Sequence, residues 1–166
     1  MKFLCEKHRE LLYQFPSIAQ ARWDEWMNRG YAALESSQWS IAITHFGCCY
    51  EISEMLLEEP NDNQRIDNLS GVDRLMLSGH LLAESLGRSG NATMERHYLL
   101  AVHHHLTKPA PSRFQGAYLG LRKNLEISLL MLKRHCRMHG EFSGFEACLN
   151  QAALLLNQGK GNFALH

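Results

Sequence analysis

Trp26-Met27-Asn28-Arg29-Gly30-Tyr31-Ala32-Ala33-Leu34-Glu35-Ser36-Ser37-Gln38-Trp39-Ser40-Ile41-Ala42-Ile43-Thr44-His45-Phe46-Gly47-Cys48-Cys49 is the stretch that decides the fold. Counted from Trp26, small or apolar residues recur at Gly30, Ala33, Ala42, Phe46 and Cys49. Those intervals fit the turns of two helices packed closely side by side, with Ser36 or Ser37 opening the second. Only four prolines and few alternating β-branched runs occur in 166 residues. Both observations push the chain toward an all-α fold.

Outward from that pair, capping and breaking signals mark about seven helices. Residues 2–14 form a short amphipathic helix ended by Pro16, and Ser17 caps the next helix, which runs to Glu35. The third runs to Glu58 and stops at Pro60. Glu59–Ser70 reads as a loop, and Ser70-Gly71-Val72-Asp73 has capping-box form for a helix to about Leu86. Asn91 caps a fifth helix ending near Thr107. Pro109-Ala110-Pro111 breaks the chain, and a long sixth helix runs from about Ser112 to His139, closed by Gly140. Ser143-Gly144-Phe145-Glu146 repeats the capping box before a last helix to about Asn157, with residues 159–166 a flexible tail.

The Trp26–Cys49 pattern resembles the tetratricopeptide repeat, in which a large apolar residue, a small one, an alanine and an aromatic lock two antiparallel helices together. In that likeness Gln38-Trp39-Ser40-Ile41-Ala42-Ile43 begins the repeat's second helix. The resemblance implies antiparallel pairs over about 18–58, 71–107 and 112–157, stacked as a right-handed superhelix in one domain, 1–158. It also implies a concave groove lined by first helices, which by offset would present Asp24, Met27, Tyr31 and Leu34. The second pair would add Asp73, Met76, His80 and Ala83, and the third Leu130, Arg134 and Arg137. The expected function is a non-enzymatic adaptor or small chaperone that holds a protein or peptide segment. Methionines in the groove suit an apolar or helical ligand. The alternatives are a self-assembling helical bundle acting as a homodimer, or a metal-binding or enzymatic bundle.

Charge and chemistry bear on those alternatives. The net charge is zero, but residues 1–70 hold 6 Lys/Arg against 11 Asp/Glu, and residues 71–166 hold 11 against 6. A neutral total argues against nonspecific nucleic-acid binding, while opposite-signed halves suit head-to-tail association. His103-His104-His105 cannot converge on one ion, because neighbours on a helix point about 100° apart. His135 and His139 share a face, but without the intervening glutamate of a zincin motif. Neither phosphate-binding glycine loops nor a nucleophile elbow occur. No catalytic residue, metal or cofactor is therefore expected. The five cysteines form no C-x-x-C pair and suit a reducing compartment. The first ten residues are too charged for a signal peptide, and no apolar run nears the roughly 18 residues that span a bilayer. The expected location is the cytoplasm, with no membrane partner.

Overall fold

The computed structural model describes residues 1–58, 71–108 and 118–161. The Glu59–Ser70 loop with its Ser70 cap, the Pro109–Pro111 break, the Ser112 helix start and the end of the tail lie outside the described residues. Among those described there are seven helices and no strand, so the chain is all-α. They are α1 (Glu6–Gln14), α2 (Pro16–Glu35), α3 (Trp39–Glu58), α4 (Gly71–Arg88), α5 (Ala92–Thr107), α6 (Tyr118–His139) and α7 (Phe145–Gly161). None of the described helices is long and apolar enough to cross a membrane. The chain clusters into two compact units, Met1–Tyr98 and Leu99–His166.

Several helix ends differ from the sequence expectation, each for a local reason. Pro16 does follow the end of α1 at Gln14, and it also occupies the first turn of α2, with Phe15 at the N-cap in place of Ser17. A proline there gives up an amide that would have no partner and arrives with helical φ already set. The turn after α2 places Ser37 in the left-handed region at φ 57°. Its amide donates to Leu34 O at 3.1 Å and the Gln38 amide to Ala33 O at 2.8 Å, closing a Schellman motif. This turn uses up Ser36 and Ser37, so α3 begins at Trp39. At α7, Gly144 rather than Ser143 precedes the first helical residue, and the helix continues to Gly161 into the expected tail. Asn91 does cap α5, its Oδ1 accepting from the Met94 amide at 3.1 Å.

In the N-terminal unit, Ala19, Trp23, Met27 and Ala33 of α2 meet Ala42, Phe46, Cys49 and Ile52 of α3 in the core. Gly30 is required where the two helices cross. A Cβ built there would lie 2.5 Å from Phe46 Cε1. The Phe46 ring is fully buried and takes the Tyr31 ring edge-on at 5.7 Å. A polar seam then joins α2, α3 and α4. Trp23 Nε1 donates to Ser53 Oγ at 2.9 Å, and Ser53 Oγ lies 3.3 Å from Ser78 Oγ. Both hydroxyls also donate to the carbonyl one turn back, Cys49 O and Arg74 O. Serine is small enough to let the helices approach, and a buried hydroxyl with such partners escapes the desolvation penalty.

The C-terminal unit is packed around Leu99, Val102 and Leu106 of α5, Leu125, Leu132 and Cys136 of α6, and Phe145 and Ala152 of α7. His103 is buried in it with Nδ1 3.2 Å from Ser128 Oγ. Phe142 bridges, its ring 5.5 Å from Phe145 and 6.5 Å from His135.

Candidate functional site

The site in the N-terminal unit starts with a buried carboxylate. Glu51, on α3 and only 6% exposed, accepts the backbone amides of Phe3 at 2.7 Å and Leu4 at 3.1 Å. A carboxylate bonded to two N–H groups is a strong, charge-assisted anchor. The Phe3 ring lies over Gly47, where an added Cβ would collide with its Cδ1, and it stands 6.3 Å from Tyr98. Tyr98 in turn meets Tyr50 edge-on at 5.5 Å. Residues 3 and 4 are thus bolted to α3, and this fixes where α1 starts.

From that anchor α1 runs beside α2 and buries only Leu12. The two helices leave a cleft of about 300 Å³ lined by His8, Leu11, Leu12, Ile18, Arg22 and Trp26. Leu11 is 46% exposed and Ile18 42%. Tyr13 and Phe15, at the junction of the two helices, are exposed as well. The apolar walls carry cationic and imidazole groups at the rim. Arg22 is held there by Glu25 at 2.6 Å, and Glu25 also holds Arg29 at 2.6 Å. His8 Nδ1 lies 3.2 Å from the exposed Cys5 Sγ. The cleft's walls can bury aliphatic or aromatic side chains from an incoming segment.

The residues named from sequence fall in several places. Met27 is 3% exposed, so it is core and does not face a partner. The inward stripe of α2 runs Ala19, Trp23, Met27, Gly30, Ala33. The expected groove face was thus rotated inward by about one position, and Trp26 instead turns to the cleft. His80 is also withdrawn from any partner surface. His80 is only 9% exposed, and its position on α4 is buried like that of Ser78. Burial pushes the His80 imidazole down to about 4. Ala83 is fully buried. Asp24, Leu34, Asp73 and Met76 are half-buried, and Tyr31 is 37% exposed although its ring edge packs on Phe46. Arg134, Arg137 and Leu130 are exposed on α6, in the C-terminal unit.

The histidine run divides as its spacing requires: His103 faces inward and His104 is exposed. The His135 and His139 rings do meet, centroids 4.8 Å apart. Burial raises the Cys49, Cys136 and Cys148 thiols and, with Glu51 nearby, pushes Cys48 up to about 11. Such thiols are protonated near neutrality and poor nucleophiles.

His8, Leu11, Ile18, Arg22 and Trp26 were not singled out from sequence as site residues. The available signal was local: apolar residues crowd both sides of Pro16, more than one face of two short turns can bury. Comparison of the chain with protein-family models, with characterised proteins and with solved structures finds no match.

Proposed function

We propose that the chain is a non-enzymatic protein-interaction module whose α1–α2 cleft receives an apolar segment of a protein partner. The observation that carries this is the cleft itself, where Leu11 and Ile18 stay nearly half exposed over a well-packed unit. Exposed apolar surface gathered in a concavity is where interface anchors bury. A tetratricopeptide-like pairing of α2 and α3 is the scaffold in this reading. It is supported by the close contact of Gly30 with Phe46 and by the burial of Ala33, Ala42 and Cys49. Tyr31 borders this pair and is a secondary contact.

Tagged full-length chain, recovered from its native cells, tests the reading. Ile18→Glu and Leu11→Glu should each weaken recovery of a defined co-purifying protein by roughly thirtyfold, the size of one interface anchor. Leu154→Glu, on exposed α7, should not. Unchanged recovery with both cleft variants contradicts the proposal. A dimer that Leu11→Glu dissociates, with no second protein bound, would assign the cleft to another copy of this chain.

A further inference from the structure

The outward face of α6 has a pattern unlike any in the N-terminal unit. Five cations, Arg122, Lys123, Lys133, Arg134 and Arg137, stand on this helix, and all are exposed. Only one exposed acid, Glu126, accompanies them up to Met138, and it takes the Arg122 guanidinium at 3.1 Å. At the helical advance of about 100° per residue, every exposed residue from Arg122 to Met138 falls within an arc of roughly 160°. Leu130 lies at the centre of that arc and is 59% exposed; Met138, 58% exposed, lies at its edge. Lys123, Arg134 and Arg137 flank Leu130 on both sides. Behind them Leu125, Ser128, Leu132, His135 and Cys136 are buried, so the helix is fixed with this face outward. The unit as a whole carries eight Lys/Arg against three Asp/Glu.

We propose that this face of α6 docks on an anionic lipid bilayer, its cations among the headgroups and Leu130 dipping toward the acyl boundary. Charge complementarity supplies the attraction, since cations near an anionic leaflet each add to binding. Arg122 to Arg137 spans about 22 Å of helix at 1.5 Å per residue, a convex rod that a flat headgroup layer can meet along its length. Long Lys and Arg stems let the charges stay at the phosphates while a central leucine goes deeper.

Other occupants fit this face less well. The core of a protein interface is depleted of charge and needs several apolar anchors, whereas here one leucine is ringed by cations. The arc carries no aromatic side chain to stack a base. A second copy would have to bring a row of acids to match, and the acids exposed on the helices of the N-terminal unit stand apart, Glu6 and Glu10 on α1 and Glu35 at the end of α2. Glu25 holds two arginines, Glu84 holds Arg88, and Glu51 holds two backbone amides.

Flotation of the full chain with phosphatidylcholine vesicles, with and without phosphatidylserine, tests the proposal. Binding should require phosphatidylserine and fall steeply with salt. Each cation removed should weaken it about fivefold, so Lys133→Gln with Arg134→Gln should cost roughly 25-fold. Leu130→Trp should bind at least as well and shift its fluorescence to the blue on these vesicles, a change that charge alone would not give. The variants replace exposed side chains, and an unchanged helical melt verifies their fold. Equal binding to both vesicle types, no binding at low salt, or binding indifferent to the double variant overturns the proposal. So does double-variant-sensitive binding to polyglutamate in place of vesicles, which would assign the face to an acidic protein.

Discussion

The two units handle charge in opposite ways. In the N-terminal unit several carboxylates are turned on guanidinium groups or on the backbone. Glu25 spans Arg22 and Arg29, Glu84 holds Arg88, and Glu51 anchors the amides of Phe3 and Leu4. Arg74 is buried with its guanidinium 5.5 Å over the Trp23 ring, and Arg88 stands 5.4 Å over Trp39. In the C-terminal unit the α6 cations point to solvent around an exposed leucine. The surface pairs of the first unit add little stability, each typically under 1 kcal/mol. Beside the α1–α2 cleft, Glu25 offsets part of the charge of Arg22 and Arg29, and the apolar walls can select partners by shape. The second unit gathers exposed cations on one helix face, and a field of that kind acts at long range and is screened by salt.

The largest effect that would break this contrast is in the core of the first unit. Phe46→Ala should cost about 3–5 kcal/mol in denaturant unfolding, because the ring fills the whole gap at Gly30. A loss under about 1 kcal/mol would mean that α2 and α3 are not locked there. Next comes acid. His80 titrates near 4 in the folded chain against 6.5 when unfolded, so the unfolded state binds the extra proton between those values. Stability should be intact above pH 6.5 and fall by about 3 kcal/mol as the pH drops to 4. His80→Gln should flatten that slope. His103, also pushed down by burial, adds a smaller acid loss of the same sign in the other unit. Were Ser128→Ala, beside His103, to change the slope more than His80→Gln, the main acid-sensitive group would lie in the C-terminal unit.

Gly30→Ala should destabilise by about 1–3 kcal/mol through overpacking on Phe46, despite the gain in helix propensity. A stabilised variant would show that the ring can give way. The smallest expected change is favourable. Ser37→Gly should raise stability by up to about 1 kcal/mol in the same assay, since serine at φ 57° bears a left-handed cost that glycine avoids. The equivalent turn after α4 already uses Gly90, at φ 86°.

Much of the helical order was legible from local signals. The Asn91 cap, the Gly140 stop and the spacing of Gly30, Ala33, Ala42 and Phe46 act over one or two turns, and such ranges are visible in a sequence. The rotation of α2 was not. Trp23 and Trp26 are three residues apart and equally apolar, and the Ser53 hydroxyl that takes the Trp23 indole lies on α3, 30 residues further along the chain. Ser37 was hidden because serine seldom takes a glycine's place in a Schellman turn. The cleft was hidden for a longer-range reason. Its shape depends on α1, and α1 is placed by Glu51 and Gly47 more than forty residues away. The α6 face was half legible. Arg134 and Arg137 were named as contacts, but their grouping with Lys123 around Leu130 needs the helix's outward face to be known.

The claim that the N-terminal unit selects partners by apolar shape is tested most directly by a photo-crosslinking side chain at position 18, activated in the native cell extract over a salt series. The expected result is a discrete adduct with another protein that persists at about 1 M salt, where charges more than about 3 Å apart are screened, and that Leu11→Glu removes. An adduct that disappears as salt rises, or survives Leu11→Glu, would contradict the account.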